Sequence, residues 1–238
     1  AVVMQSEYQN QTVSLNWQAV KQQVEALAQV FKDENIKVLG LYADNSPAWV
    51  LVDLAAQLAQ VVLLPLPGFF SDKQLTHCLI SSACDAVISD QQTMTKHFST
   101  VLAGESSELP IANRVLNIDY SDTLHQTLYL VCNFAQTRQA EMPKGTEKIT
   151  YTSGSTGEPK GVCLSAQSQM NVARSVSDAL NISQPKHLVV LPLSTLLENV
   201  AGIYNSMLAG GTALLLPARK LGFDGAGFFA ERLLQVIR

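Results

Sequence analysis

Residues 149–165 read ITYTSGSTGEPKGVCLS. Ile149 to Thr152 is a β-rich run. It breaks into a stretch where Gly154, Gly157 and Gly161 carry no side chain, with Ser153, Ser155, Thr156 and Lys160 set among them. A glycine-rich turn leaving a strand can point several main-chain N–H groups into one concavity. A helix that follows adds the positive end of its dipole. Hydroxyls add donors that rotate to suit, and a lysine adds a full charge. Together these make a cradle for phosphate. Residues 152–161 fit it, because the turn leaves a strand and precedes a helix expected over 166–180. An ordinary glycine-rich turn is the plain alternative, so the order of residues decides. GxxxxGK[ST] needs Gly five places after the first, and from Gly154 that place holds Pro159. GxGxxG is not matched either.

Outward from this turn, strand alternates with helix. Trp17, Val20, Val24, Leu27 and Phe31 lie on one helical face, with Asn16 placed to cap it. A short apolar strand is expected over 37–42, then a helix capped by Ser46 with Pro47 in its first position. A strand follows over 61–66. Ser71 to Gln74 fits a capping box and opens a helix to about 81, and 85–89 is again a strand. Residues 90–147 are harder to read, with 114–118 as a strand. After the glycine-rich turn come a helix over 166–180, a strand over 187–191, a helix over 195–209, a strand over 213–216 and a last helix. The strands are continuous apolar runs rather than alternating ones. That argues for an α/β fold of parallel sheets covered by helices on both faces.

Composition narrows the function. The chain has 238 residues, of which 47% are hydrophobic and 15% charged, so it can bury a sizeable core. Its formal charge of −4 gives no basic footprint for nucleic acid. Cys78, Cys84, Cys132 and Cys163 form no CxxC pair and read as reduced, buried thiols. His77, His97, His125 and His187 are scattered without metal-ligand spacing, so no metal site is expected from protein ligands. Asp44 and Asp53 read as solvent-facing or helix-capping. The apolar windows 48–70 and 187–217 are interrupted by Asp53, by Glu198 and Asn199, and by prolines and glycines, so no membrane span is expected. The start AVVMQSEYQN has no signal-peptide pattern, and the expected location is cytoplasmic. Ala1 is not a start methionine, and the last helix runs to Arg238 without a stop signal. The expectation is that 1–238 is one truncated N-terminal portion of a longer protein.

The segment YTSGSTGEPKG, Tyr151 to Gly161, resembles the signature loop of the adenylate-forming superfamily: acyl-CoA synthetases, luciferases and peptide-synthetase adenylation domains. Residues 38–66, with their N-S-P-x-W helix and proline-ended strand, resemble that family's early block, and 71–90 and 191–217 resemble further blocks. The resemblance implies an ATP-dependent ligase that turns a carboxylic acid, here a fatty one, into an acyl-adenylate and hands it to coenzyme A. It implies that Thr152, Ser153, Gly154, Ser155, Thr156 and Gly157 wrap the departing phosphates, that Lys160 steadies the loop or its charge, and that Mg²⁺ shares that charge. LPLSTLLEN, residues 191–199, is most similar to the long-chain branch, which has a histidine where Thr195 stands and Glu-Arg where Glu198 and Asn199 stand. Thr195 and Glu198 are therefore the candidate substrate-pocket residues. For Glu198, a carboxylate favoured at a helix N-terminus is the alternative. The family's later nucleotide-binding residues and its C-terminal domain lie beyond Arg238, so this portion alone is expected to lack turnover. Two other readings remain open: an adenylation domain loading a carrier protein, and a non-catalytic nucleotide-binding remnant.

Overall fold

The computed structural model describes residues 1–103, 111–121, 123–133, 140–152, 158–224 and 227–237. In chain order the elements are β1 (Val2–Tyr8), β2 (Gln11–Asn16), α1 (Trp17–Asp33), β3 (Val38–Tyr42), α2 (Pro47–Ala59), β4 (Val62–Pro65), α3 (Asp72–Ser81), β5 (Ala86–Ser89) and α4 (Thr95–Ala103). Then come β6 (Ile111–Ser121), β7 (Leu124–Asn133), β8 (Lys148–Thr152), β9 (Lys160–Leu164), α5 (Ala166–Leu180) and β10 (Lys186–Val189). The series closes with α6 (Asn205–Leu208), β11 (Thr212–Leu215), β12 (Phe223–Asp224), β13 (Gly227–Phe228) and α7 (Ala230–Ile237). Two compact units result. One comprises Ala1–Val20, Asp44–Val50 and Gln167–Arg238; the other comprises Lys21–Ala43 and Leu51–Ala166.

The second unit is built on a seven-stranded sheet of order β6-β7-β5-β3-β4-β8-β9. Its centre, β5-β3-β4-β8, is parallel. The β6–β7 pair and β9 join it antiparallel. Every residue of β3 from Val38 to Leu41 is buried, as a continuous apolar run in a doubly covered sheet should be. Lys148 and Tyr151 of β8 sit three positions apart and so point to opposite faces. Lys148 meets Asp53 of α2, whereas Tyr151 meets Ser81 of α3. Helices therefore cover both faces, as the sequence implies. The core on the α3 side includes Leu64, Leu66, Leu75, Cys78, Leu79, Val87, Phe98, Val131, Ile149 and Tyr151. The first unit carries a four-stranded sheet of order β10-β11-β1-β2, parallel except for the β1–β2 hairpin.

The predicted caps are present. Asn16 Oδ1 accepts from the Ala19 amide at 2.9 Å, and Ser46 Oγ from the Trp49 amide at 3.3 Å. Ser71 and Gln74 form the reciprocal capping box. Three readings change. Residues 90–147 hold a helix and the long β6–β7 hairpin rather than one short strand. The turn after Thr152 leads into β9, not directly into a helix, so the N-terminus of α5 begins only after a full returning strand. The helix expected over 195–209 is a π-helix over Glu198–Tyr204 followed by α6.

Candidate active site

β8 and β9 pair as the two antiparallel arms of a hairpin, joined by residues 153–159. Thr152 lies directly opposite Lys160, and Thr150 opposite Val162. Thr152 and Lys160 are thus brought together at the base of the turn, on exposed positions. Ser153, Gly154, Ser155, Thr156 and Gly157 lie outside the described residues. Gly161 belongs to β9 rather than to the turn. A Cβ there would sit 3.0 Å from Ile149 Cγ2 and 3.1 Å from the Tyr151 ring. Its missing side chain makes room for the tyrosine on an edge strand, not for a ligand. Tyr151 is held, so it cannot yield easily. Gly161→Ala is therefore expected to cost about 1–3 kcal/mol by overpacking, read as a fall in urea midpoint at unchanged slope.

α3 grips both arms of this hairpin. The Tyr151 hydroxyl lies 2.6 Å from Ser81 Oγ, which itself donates to the His77 carbonyl at 2.7 Å. Burial raises the Tyr151 hydroxyl above the ordinary tyrosine range, against the lowering effect of the Ser81 bond. It therefore stays protonated at neutral pH and donates. His77 Nε2 lies 3.0 Å from the Pro159 carbonyl, and Nδ1 lies 3.9 Å from a carboxylate oxygen of Glu158. On the opposite face, Lys148 Nζ meets Asp53 Oδ1 at 2.8 Å, with side chains 1% and 0% exposed. Burial pushes the Lys148 ammonium below the usual lysine range, and Asp53 opposes that push. Asp53 is therefore a buried ion-pair partner, not the solvent-facing or capping residue expected from the sequence. Its position on the inner side of α2 is fixed by a partner 95 positions away, which no local pattern reveals.

Thr195 and Glu198 belong to the other unit. Thr195 Oγ1 donates to the Pro192 carbonyl at 2.7 Å, closing a tight turn. Leu196 then adopts φ 65° and ψ −44°, a strained region for a branched side chain. Glu198 opens the π-helix and is buried. Its Oε1 accepts from the amides of Val190 at 2.9 Å and Leu191 at 3.3 Å; its Oε2 accepts from His187 Nε2 at 2.7 Å. Gly202 faces this pair. A Cβ there would lie 2.5 Å from Glu198 Oε2 and 2.7 Å from His187 Nε2. Asn45, from the N-S-P-x-W block, holds the same segment through Leu191 O at 2.9 Å and the Leu193 amide at 2.8 Å. Sequence reasoning missed Asn45 as a partner of the 190–193 segment and His187 as the partner of Glu198. The only available signal was Asn45 beside the cap of α2.

Among the described residues no group of three or more His, Cys, Asp or Glu could hold a metal ion, and no helix is long and apolar enough to cross a membrane. None of the four cysteines is in a disulfide, and three of them are buried.

Comparisons with known proteins agree with the sequence resemblance. The sequence pattern of the family described as AMP-binding enzyme matches residues 1–236. The medium-chain acyl-CoA ligase ACSF2, mitochondrial, of Bos taurus is 28% identical over 74% of this chain and 33% of its own length. The Mus musculus protein is 26% identical over 87% of this chain and 38% of its own length. Gramicidin S synthase 2 of Brevibacillus brevis is 22% identical over 91% of this chain and 4% of its own length. The chain thus spans about a third of the length of these acyl-CoA ligases. Among solved structures, ATP-bound MatB from Rhodopseudomonas palustris superposes with TM-score 0.69 at 14% identity, over 99% of this chain and 44% of that one. O-succinylbenzoate coenzyme A synthetase of Bacillus subtilis, in complex with ATP and magnesium ion, gives 0.64 at 19% identity, over 99% and 56%. A family pattern that runs from the first strand to the last helix, on a fold shared with these enzymes, leaves one conclusion: the chain belongs to the AMP-binding enzyme family, the adenylate-forming superfamily.

Proposed function

We propose that this chain is the phosphate-gripping portion of an ATP-dependent acid–thiol ligase, which activates a fatty or similar apolar carboxylic acid as an acyl-adenylate and transfers it to coenzyme A. The observation that carries the reading is the pairing of Thr152 with Lys160 across the base of the β8–β9 hairpin. It puts a hydroxyl and an exposed ammonium at the two feet of the signature turn. In this reading Thr152, Ser153, Gly154, Ser155, Thr156 and Gly157 surround the β- and γ-phosphates, and Lys160 neutralises charge that grows as pyrophosphate departs. Magnesium, when bound with the nucleotide, shares that charge. The carboxylate of the substrate is the nucleophile, so the protein aligns and stabilises rather than reacts. Thr195 and Glu198 belong to the segment that borders the acyl group. Glu198 does so through Val190 and Leu191, and Thr195 through the turn it closes. The likeness to medium-chain acyl-CoA ligases supports an apolar acid and a coenzyme A acceptor.

The test is ATP–pyrophosphate exchange. The full-length protein is expected to exchange in the presence of a fatty acid, and residues 1–238 alone are expected not to. Lys160→Ala in the full-length protein is expected to raise the KM for ATP about 10- to 100-fold, the scale of one charge-assisted contact. Robust exchange by residues 1–238 alone, or an unaltered Lys160→Ala enzyme, would contradict the reading. The similarity to gramicidin S synthase 2 favours a second reading, in which the acceptor is a carrier-protein thiol. Comparing acyl transfer to coenzyme A and to a phosphopantetheinylated carrier separates the two.

A further inference from the structure

His77 sits in the middle of α3, away from the signature turn in sequence and touching it in space. Its Nε2 faces the Pro159 carbonyl at 3.0 Å, so this nitrogen carries the proton and donates. Its ring stands edge-on to Tyr151, with centroids 6.4 Å apart. Its own carbonyl accepts from Ser81 Oγ, the hydroxyl that meets the Tyr151 hydroxyl. One turn of α3 therefore ties both arms of the hairpin to a single rigid element: the incoming arm through Tyr151, the outgoing arm through Pro159. Pro159 immediately precedes Lys160, and its carbonyl is the last fixed point before the lysine.

We infer that His77 is a positioning residue that sets the placement of Lys160 by holding the Pro159 carbonyl. The inference rests on the reading that Lys160 meets the nucleotide phosphates. The Glu158 contact adds little, because that carboxylate is 68% exposed and 3.9 Å away. A peptide carbonyl held by a partly shielded imidazole restrains the chain in direction as well as in distance, and preorganised charge near phosphate depends on such restraint.

The experiment uses full-length protein carrying His77→Leu, His77→Gln or Glu158→Gln. Glutamine keeps an amide N–H near the place of Nε2; leucine keeps volume without a donor. His77→Leu is expected to raise the KM for ATP about tenfold while the KM for the carboxylic acid and the melting temperature stay near wild type. His77→Gln and Glu158→Gln are expected to stay within about threefold of wild type. Amide hydrogen exchange without nucleotide is expected to quicken over 158–160 in His77→Leu only. Unchanged exchange there would overturn the latch itself, whether or not the protein uses ATP. Quickened exchange with an unchanged KM for ATP, or equal rises in both KM values, would overturn the positioning role. A wild-type protein that exchanges no ATP would sink the reading of the site, and the hydrogen-exchange result would still decide the latch.

Discussion

Replacing Asp53 with alanine is expected to lower the unfolding free energy by about 3–5 kcal/mol. The Asp53–Lys148 pair is almost completely removed from water, at 2.8 Å between Nζ and Oδ1. Two ions taken out of water lose several kcal/mol of hydration each, and their attraction offsets that only while both are present. Deleting the carboxylate leaves an ammonium inside the sheet–helix interface, where burial already disfavours its charge. Removing both charges is different. Asp53→Leu with Lys148→Met refills the space with apolar atoms and is expected to return stability to within about 1 kcal/mol of wild type, or above it. Urea unfolding of Asp53→Leu, Lys148→Met and their double gives the coupling directly. A single-mutant cost under about 1 kcal/mol would show that the pair is solvated. Lys148 opens β8, the strand that ends at Thr152, so this pair also sets the floor on which the signature turn stands.

Glu198→Ala is expected to cost about 3 kcal/mol, the second large effect. The carboxylate accepts two amides and one imidazole N–H, and deletion leaves those donors partly buried and unpaired. On the proposed reading the loss would be accompanied by a rise in the KM for the carboxylic acid, because the Val190–Leu193 segment loses the Glu198 anchor and is left to Asn45 and the turn closed by Thr195. Acid titration offers an independent check. Burial raises the Glu198 carboxyl, but the His187 bond, the Val190 and Leu191 amides and the His187 charge outweigh it and hold it below the ordinary 4.5. Between the folded value and 4.5 the unfolded chain binds more protons than the folded one, so stability rises with pH there. This contribution is complete above about pH 4.5 and is lost as pH falls through the folded value. Melting temperatures from pH 7 to pH 3 are expected to fall more steeply for wild type than for Glu198→Gln. Parallel curves would contradict the assignment.

Local features of the fold were legible because they are written in neighbouring residues. Asn16, Ser46 with Pro47, and Ser71 with Gln74 mark helix starts by hydrogen bonds that span three positions. The apolar runs read over 37–42 and 61–66 announce buried parallel strands, found at Val38–Tyr42 and Val62–Pro65. What escaped depends on distant partners. β9 reads as loop because Lys160 and Gly161 have low strand preference; it becomes a strand by pairing with β8, and Gly161 is tolerated because Tyr151 covers it. Asp53 reads as a surface acid until Lys148, 95 positions later in the chain, arrives on β8 beside β4. His77 reads as a helix-interior residue until Pro159 comes within 3.0 Å. At the candidate site, the turn, its lysine and the strand before it were visible in the sequence, whereas the contacts from His77, Ser81 and the Lys148–Asp53 pair that hold them in place were not. The π-helix after Leu196 also has no local signature, since it follows from Glu198 reaching back to β10 and its flank, and from a glycine at 202 that leaves room for it.

On the proposed reading the β8–β9 hairpin grips polyphosphate between its two feet. A crystal structure of the full-length protein soaked with magnesium and pyrophosphate tests it most directly. The expected result is the anion within hydrogen-bond distance of main-chain amides of the turn and of Lys160 Nζ. Density for the anion elsewhere, with the turn closed against its neighbours and Lys160 pointing away from it, would contradict the account.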